Sequence, residues 1–186
     1  MVIEPERMVT STGGPLVVME ACLSEKWRGI GGSSLNTLSA DSDYARACAV
    51  KDYAGIIPLE SDWVLVLGDM PMPTSFFLKP DGSPVIYRYM YAPENFDYRS
   101  IPTILENASL TEVESCEFIS NSETLYVFDA ATDMQAGEAE FLMIPILAGS
   151  YMIKTYNFED EETRIIMHDF ERVLSAPLPM VRNGPR

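Results

Sequence analysis

The run that decides the fold occupies residues 63–68 and reads Trp-Val-Leu-Val-Leu-Gly. Every position before the glycine is apolar, so an extended strand here would have no polar face. This pattern is typical of a strand that is covered on both sides, and the run is too short for an ordinary helix. We therefore expect residues 63–68 to form a central strand of a sheet.

Similar short runs of strand-forming residues lie on both sides of it. Those at 75–79 and 85–91 flank the turn signal Pro80-Asp81-Gly82, so we expect them to form a hairpin. The other predicted strands are 15–19, 56–59, 112–119, 124–128, 140–146, 151–156 and 163–170. Their close spacing in the second half indicates antiparallel pairing.

One main helix is predicted, over residues 44–53. Asp41 or Ser42 can cap its start, and Gly55 would end it in a left-handed conformation. We expect one face of it to carry Tyr44, Ala47, Cys48 and Ala54. A short helical stretch is predicted around residues 25–27, and Pro102 is expected to interrupt a helical or irregular stretch at 93–106.

Together these elements predict an α+β fold that is mostly antiparallel β. The first half would be mixed, with the one main helix, and the second half an antiparallel meander or small sandwich. We place the boundary in the proline-containing stretch, giving residues 1–106 and 107–175, with one continuous domain as the alternative. The proline-containing tail at 176–186 is expected to be disordered or loosely docked.

The composition restricts the possible partners. The chain has 186 residues, of which 47% are hydrophobic, enough to fill a real core. Its 28 acidic residues outnumber 13 basic ones, giving a formal net charge of −15 that would repel nucleic acid. Such a surface can steer a basic protein onto itself, although negative charge often serves solubility alone.

No apolar run approaches the roughly 20 residues of a membrane-spanning helix, and the N-terminus lacks a signal-peptide pattern. We therefore expect a cytoplasmic protein without a membrane partner. Cys22, Cys48 and Cys116 are odd in number and widely spaced, which predicts buried, reduced thiols. With His168 as the single histidine and no Cys-x-x-Cys, we expect no metal and no other cofactor.

A catalytic site is a weak alternative. Cys48, His168 and Asp43 could in principle supply a nucleophile, a base and an orienting acid. Cys48 lies on the expected buried face of its helix, where a thiol is unreactive, and His168 lies in a predicted strand. The glycines at 13–14 lack the spacing of a phosphate-binding loop. We expect no enzymatic activity.

Several side chains are candidates for binding a partner. Trp27 and Arg28 are residue types enriched at interface hot spots, although a tryptophan more often packs in a core. Asp43 and Arg46 lie three apart on the predicted helix, where they would form a surface ion pair. Alternatively, Arg46 would reach another segment and fix the helix against the sheet.

Acidic side chains supply the remaining candidates. Asp69 follows the central strand, where it would bind a cation or a basic side chain, or else accept backbone hydrogen bonds in a turn. The run 159–162 is expected at a hairpin tip, with solvated charge as its ordinary interpretation. The full candidate set is Trp27, Arg28, Asp41, Asp43, Arg46, Asp62, Asp69, Glu159, Asp160, Glu161 and Glu162.

Short motifs containing glycine, tryptophan and acids are spread over the first half in a defined order. They are Gly13-Gly14-Pro15-Leu16, Trp27-Arg28-Gly29, residues 43–48 with Asp52-Tyr53, Ile57-Pro58, and Gly68-Asp69 with Pro71 and Pro73; residues 149–154 add a strand motif. In these motifs the chain resembles the immunity protein 21 family of bacterial polymorphic-toxin systems. The resemblance implies an intracellular antitoxin that binds a cognate toxin domain stoichiometrically, and it supplies no catalytic residue.

The residues themselves leave two other functions open. One is a ligand-binding or scaffolding module, and the other, less favoured, is a small Cys- or carboxylate-dependent enzyme.

Overall fold

Ten strands form two antiparallel sheets of five strands each in the computed structural model. The structure describes residues 7–35, 41–68, 72–93, 96–108, 110–137 and 139–173. In spatial order, the first sheet contains β2 (Ala54–Leu59), β3 (Asp62–Leu67), β1 (Leu16–Glu20), β7 (Thr124–Asp129) and β8 (Phe141–Pro145). The second sheet contains β4 (Thr74–Leu78), β5 (Pro84–Tyr91), β10 (Arg164–Arg172), β9 (Gly149–Glu159) and β6 (Thr111–Ser120). The predicted fold class, α+β and mostly antiparallel β, is confirmed.

The run at 63–68 forms an interior strand, as predicted. β3 pairs with β2 on one side and with β1 on the other, so that Leu65 lies between Ile56 and Val18. Its residues from Val64 to Leu67 are completely buried. Alternate side chains serve two cores, since Leu65 packs between the sheets and Val64 packs on the outer side of the first sheet.

Each sheet is also covered on its outer side. Two 3₁₀ turns, Ala21–Lys26 and Gly29–Gly31, and helix α1 (Asp43–Cys48) cover the first sheet. Helix α2 (Ile101–Asn107) packs its Ile101 against Tyr87 and Met167 of the second sheet. The hairpin of β4 and β5 and the short helical stretch before Trp27 occur as predicted.

The main helix is shorter than predicted. Ser42 caps it by accepting a hydrogen bond from the Ala45 amide at 3.1 Å, but the helix ends at Cys48. Ala54 and Gly55 belong to β2, and Gly55 pairs with Val66. The prediction of a helix to residue 53 was wrong. The Tyr53 carbonyl oxygen accepts from the Gly68 amide at 2.8 Å, and β2 begins at the next residue, a pairing that local pattern does not reveal.

Pro102 also differs from expectation. It lies in the first turn of α2, where a missing backbone N–H costs no helical hydrogen bond, so it begins the helix and does not interrupt it.

Strands from both halves of the chain contribute to each sheet. β1 pairs with β7 in the first sheet, and β5 pairs with β10 in the second. The strands of the second half are antiparallel but divided, because β7 and β8 join one sheet and β6, β9 and β10 the other. The division at residue 106 and the alternative of one continuous domain both stay predictions. The tail at 176–186 lies outside the described residues.

Candidate partner-binding surface

Trp27 is part of the core. Its side chain is fully buried, its indole Nε1 donates to the Ala130 carbonyl oxygen at 3.0 Å, and its ring meets Phe128 edge to face. A side chain without exposed surface does not contact a partner. The expectation that Trp27 anchors one was therefore wrong, and its core alternative holds.

Asp43 and Arg46 form a buried network. Asp43 has no exposed side-chain surface; its Oδ2 accepts from the Arg28 amide at 2.8 Å, and its Oδ1 accepts from the Ser34 amide at 2.8 Å and from Arg46 Nη2 at 2.6 Å. Arg46 Nη1 also donates to the Pro58 carbonyl oxygen in β2 at 2.6 Å. Arg46 thus fixes α1 against the first sheet. Asp43 is not a surface contact, because its carboxylate is fully buried and accepts hydrogen bonds within this network.

Two glycines of the quoted motifs allow close backbone approach. Gly29 has a φ of +53°, and a Cβ there would collide with the carbonyl oxygen of Ala131. A Cβ at Gly68 would collide with the carbonyl oxygen of Asp52. Together with Trp27 and the Asp43–Arg46 pair, these positions show that the motifs of the first half hold the fold together.

Other predicted contact residues do lie at the surface. The Arg28 side chain is 43% exposed, with its Nε 3.6 Å from Asp133 Oδ2. Asp41 is exposed just before α1. Asp62 opens β3 and accepts from Lys26 Nζ at 3.0 Å. Asp69 lies outside the described residues.

The acidic run Glu159–Glu162 lies at the turn between β9 and β10, as predicted, and all four residues are exposed. Asp160 Oδ1 accepts from the Glu162 and Thr163 amides at 2.9 and 2.7 Å, which fixes the turn. Glu159 accepts from the Tyr91 hydroxyl at 3.2 Å. Glu161 and Glu162 therefore remain available as solvated charges.

The turn between β2 and β3 carries a feature that the sequence reasoning missed. Trp63 is 61% exposed, although it begins the run that predicted a central strand. Beside it, Lys26 Nζ lies 3.1 Å from Glu60 and 3.0 Å from Asp62. Asp62, the acidic residue directly before Trp63, was a signal that neighbouring elements no longer cover the strand at this point. The apolar run itself does not reveal where the neighbouring strands stop.

A groove of about 550 Å³ lies between β6 and the segment that joins α1 to β2. Its lining consists of Cys48, Val50, Lys51, Asp52, Tyr53, Gly68, Val113 and Glu114. Glu114 Oε1 is buried without a hydrogen-bond partner. Burial raises the pKa of the Glu114 carboxyl, the backbone amides of Ala54 and Tyr53 partly oppose that rise, and the nearby Asp52 carboxylate adds to it.

Cys48, His168 and Asp43, the three residues considered as a catalytic set, each have different neighbours. Fully buried His168 has its Nδ1 3.1 Å from Thr155 Oγ1, and burial lowers its pKa well below the ordinary value, with a smaller contribution from the Arg88 cation. Cys48 lines the groove, and Asp43 serves its own network. Within the described ranges no hydrogen bond joins any two of the three.

All three cysteines are free, but they are not uniformly buried. Cys22 is exposed, which corrects the expectation of buried thiols. Cys116 is partly covered, and burial raises its pKa to about 11.

Among the residues that the structure describes, no helix is long and apolar enough to cross a membrane. Nor do three or more His, Cys, Asp or Glu side chains of this part of the chain converge as metal ligands would.

A family model described as immunity protein 21 matches residues 7–164 of the chain. The match spans β1 to β9 and includes the buried network and both exposed acidic turns. No curated protein matches the chain, and no solved structure matches it.

Proposed function

The chain belongs to the immunity protein 21 family, and from this membership we propose that it neutralises a cognate toxin domain in the bacterial cytoplasm by stoichiometric binding. Binding occludes the toxin, and no covalent bond is made or broken on this protein. The family match over residues 7–164 is the observation that carries the proposal.

The charge of the chain supports a basic partner. An excess of acidic over basic residues, 28 against 13, raises the rate at which a basic surface encounters this one. Asp41, Asp62 and the run Glu159–Glu162 are the predicted contacts that retain surface exposure, and Arg28 accompanies them. A stable complex of ordinary size would bury about 1,600 Å² in total.

The test begins with the toxin domain encoded beside this gene. Expressed alone it should stop growth, and co-expression with this protein should restore growth and yield a one-to-one complex. The association rate constant should fall at least about tenfold between low and high salt, because screening weakens long-range steering. A neighbouring product that is harmless, or that does not bind, would refute the proposal.

Charge reversal distinguishes a local contact from overall charge. Glu161→Lys at the β9–β10 turn should slow association with the toxin domain. Glu106→Lys on α2 makes the same change in net charge at another exposed position, and it should slow association less. If both variants slow association equally, the β9–β10 turn is not part of the interface, and the overall acidic charge alone accounts for the effect.

A second candidate function is that of a ligand-binding module, which the groove beside Glu114 favours. A buried, unpartnered carboxylate oxygen suits a small cationic ligand. In a thermal-shift screen of small amines, a large rise in melting temperature that Glu114→Gln abolishes would support this function. The absence of any such rise would remove it.

A further inference from the structure

The turn between β2 and β3 exposes a large aromatic ring next to acidic residues. We call residues 60–63 the hairpin tip. Trp63 is 61% exposed, whereas Trp27, the other tryptophan, is fully buried. Trp is among the residue types most enriched at binding hot spots, because a rigid ring buries much area at little entropic cost.

The backbone of the hairpin tip is unusual. Glu60 has a φ of +54° and is the one residue other than glycine with a positive φ in the described part of the chain. It precedes Ser61 in a two-residue turn closed by the Leu59–Asp62 pair, a place where glycine or asparagine is the ordinary choice. Strained positions of this kind cluster at functional sites.

The charge of the hairpin tip is unbalanced. Lys26 is shared between Glu60 and Asp62, so one positive charge faces two carboxylates. The Glu60 and Asp62 side chains are each more than one-third exposed. Further cations can therefore approach a carboxylate on one face of the hairpin and the Trp63 ring on the other, and an arginine side chain suits either contact.

The base of the hairpin is rigid. Leu59 is fully buried, and the Pro58 carbonyl oxygen accepts from Arg46, which is itself held by Asp43. The exposed groups are thus presented on a fixed support, which lowers the entropic cost of binding. Successive side chains of a strand point to opposite faces, so a partner must enclose the tip to contact both Asp62 and Trp63.

Resting on the proposed function, we propose that the hairpin tip is the hot spot of the toxin interface. A basic, concave surface of the toxin receives it. Arginine or lysine side chains of that surface contact the Trp63 ring and the carboxylates of Glu60 and Asp62.

The first test compares two equally exposed apolar side chains in the full chain. Trp63→Ala should weaken binding of the toxin domain encoded beside this gene by at least about 30-fold, as expected for a hot spot. Ile119→Ala on β6 is the matched control, because Ile119 is 62% exposed, and it should change the dissociation constant less than about threefold. Melting temperatures of both variants establish that they are folded.

The outcomes separate the two proposals. If the unaltered protein does not bind the toxin domain, the proposed function fails. If it binds and Trp63→Ala binds equally well, the hairpin tip is not the hot spot and this inference alone is overturned.

A second test uses the strained turn. Glu60→Gly should raise the melting temperature, because glycine adopts a positive φ without a steric cost. It should also weaken toxin binding, since one carboxylate of the tip is lost. Ser61→Gly, the control in the same turn, should not raise the melting temperature. Undiminished binding by Glu60→Gly would overturn the role assigned to the Glu60 carboxylate.

Discussion

Whether the buried Asp43 carboxylate stabilises the fold depends on its hydrogen-bond and charge partners. Buried carboxylates are tolerated only where hydrogen bonds and an opposite charge replace water. Asp43 has both, in the Arg28 and Ser34 amides and the Arg46 guanidinium. Its contribution is therefore to stability, and it sets the orientation of α1 on the first sheet.

Replacing Asp43 by alanine should lower the free energy of unfolding by about 3–5 kcal/mol, because a buried cation and two amides lose their acceptor. Urea denaturation measures this difference. Asp41→Ala removes the same charge from an exposed position and should change the free energy by no more than about 0.5 kcal/mol. Equal stability of the two variants would contradict the assigned network.

Because of His168, we expect the stability of the folded protein to be sensitive to mild acid. Its pKa in the folded protein lies well below 6.5, the ordinary value, so the unfolded chain binds a proton first as the pH falls. Stability should therefore decline below about pH 6.5, by up to about 1.4 kcal/mol per pH unit for one proton. The raised pKa values of Glu114 and Asp169 act in the opposite sense, because as the pH falls the folded protein binds these protons before the unfolded chain does.

The measurement is the free energy of unfolding at about pH 7.5 and about pH 5.5. His168→Asn keeps a polar atom near Thr155 without a titrating ring, and it should lose most of the decline. A decline of the same size in this variant would assign the acid sensitivity to other groups.

For single residues, the sequence predicted which side chains interact better than it predicted which side chains are buried. The spacing of Asp43 and Arg46 indicated their ion pair, and the alternative that Arg46 fixes the helix was confirmed. The burial of Trp27 was not predictable with certainty, because it depends on Ala130, which lies 103 positions along the chain. The exposure of Trp63 likewise depends on where neighbouring strands end.

Among the elements, the 3₁₀ turn Gly29–Gly31 shows how a single position can determine a connection. Its first glycine adopts a conformation that side chains disfavour, and it lies against the carbonyl groups of the segment after β7. The hydrogen bond from the Ile30 amide to the Ala131 carbonyl oxygen, 3.2 Å long, ties the two segments together.

Gly29→Ala should therefore lower the free energy of unfolding by about 2–5 kcal/mol, from the unfavourable positive φ and the forced shift of backbone. Gly31→Ala is the matched control, since a Cβ there meets no atom closer than 3.8 Å. It should change the free energy by less than about 1 kcal/mol. Thermal and urea denaturation compare them, and similar losses in both variants would argue against the close approach.

The strands themselves were largely predictable, because period-two and fully apolar patterns are local signals. Their distribution between two sheets was not, since β6 pairs with β9 and not with its successor β7. The end of α1 was misplaced for a related reason. Residues 49–53 carry no strong breaker, and the pairing that places Ala54 in β2 lies beyond what a local pattern can reveal.

Considered as a whole, the molecule is interleaved. β1 lies between β3 and β7, and β5 lies between β4 and β10, so each sheet needs strands from distant parts of the chain. Pairings of this kind make folding cooperative and depend on long-range contacts.

Residues 1–106 and 107–175, produced as separate fragments, should each remain largely unfolded. The first would leave β1 and β5 with unpaired edges, and the second would leave β7 and β10 without their neighbours from the first half. Circular dichroism and denaturant titration of each fragment provide the measurement, with the intact chain expected to unfold in one transition. Two fragments that fold independently would establish two domains.

The late position of β10 has a consequence for timing in a living cell. The second sheet is closed at its centre by residues 164–172, the last strand in the part of the chain that the structure describes. At a synthesis rate of roughly 5–20 residues per second, the ribosome needs about nine to thirty-four seconds to pass the end of β10. A nascent chain thus cannot complete its second sheet until β10 has left the ribosome, and until then β5 and β9 lack the strand that lies between them.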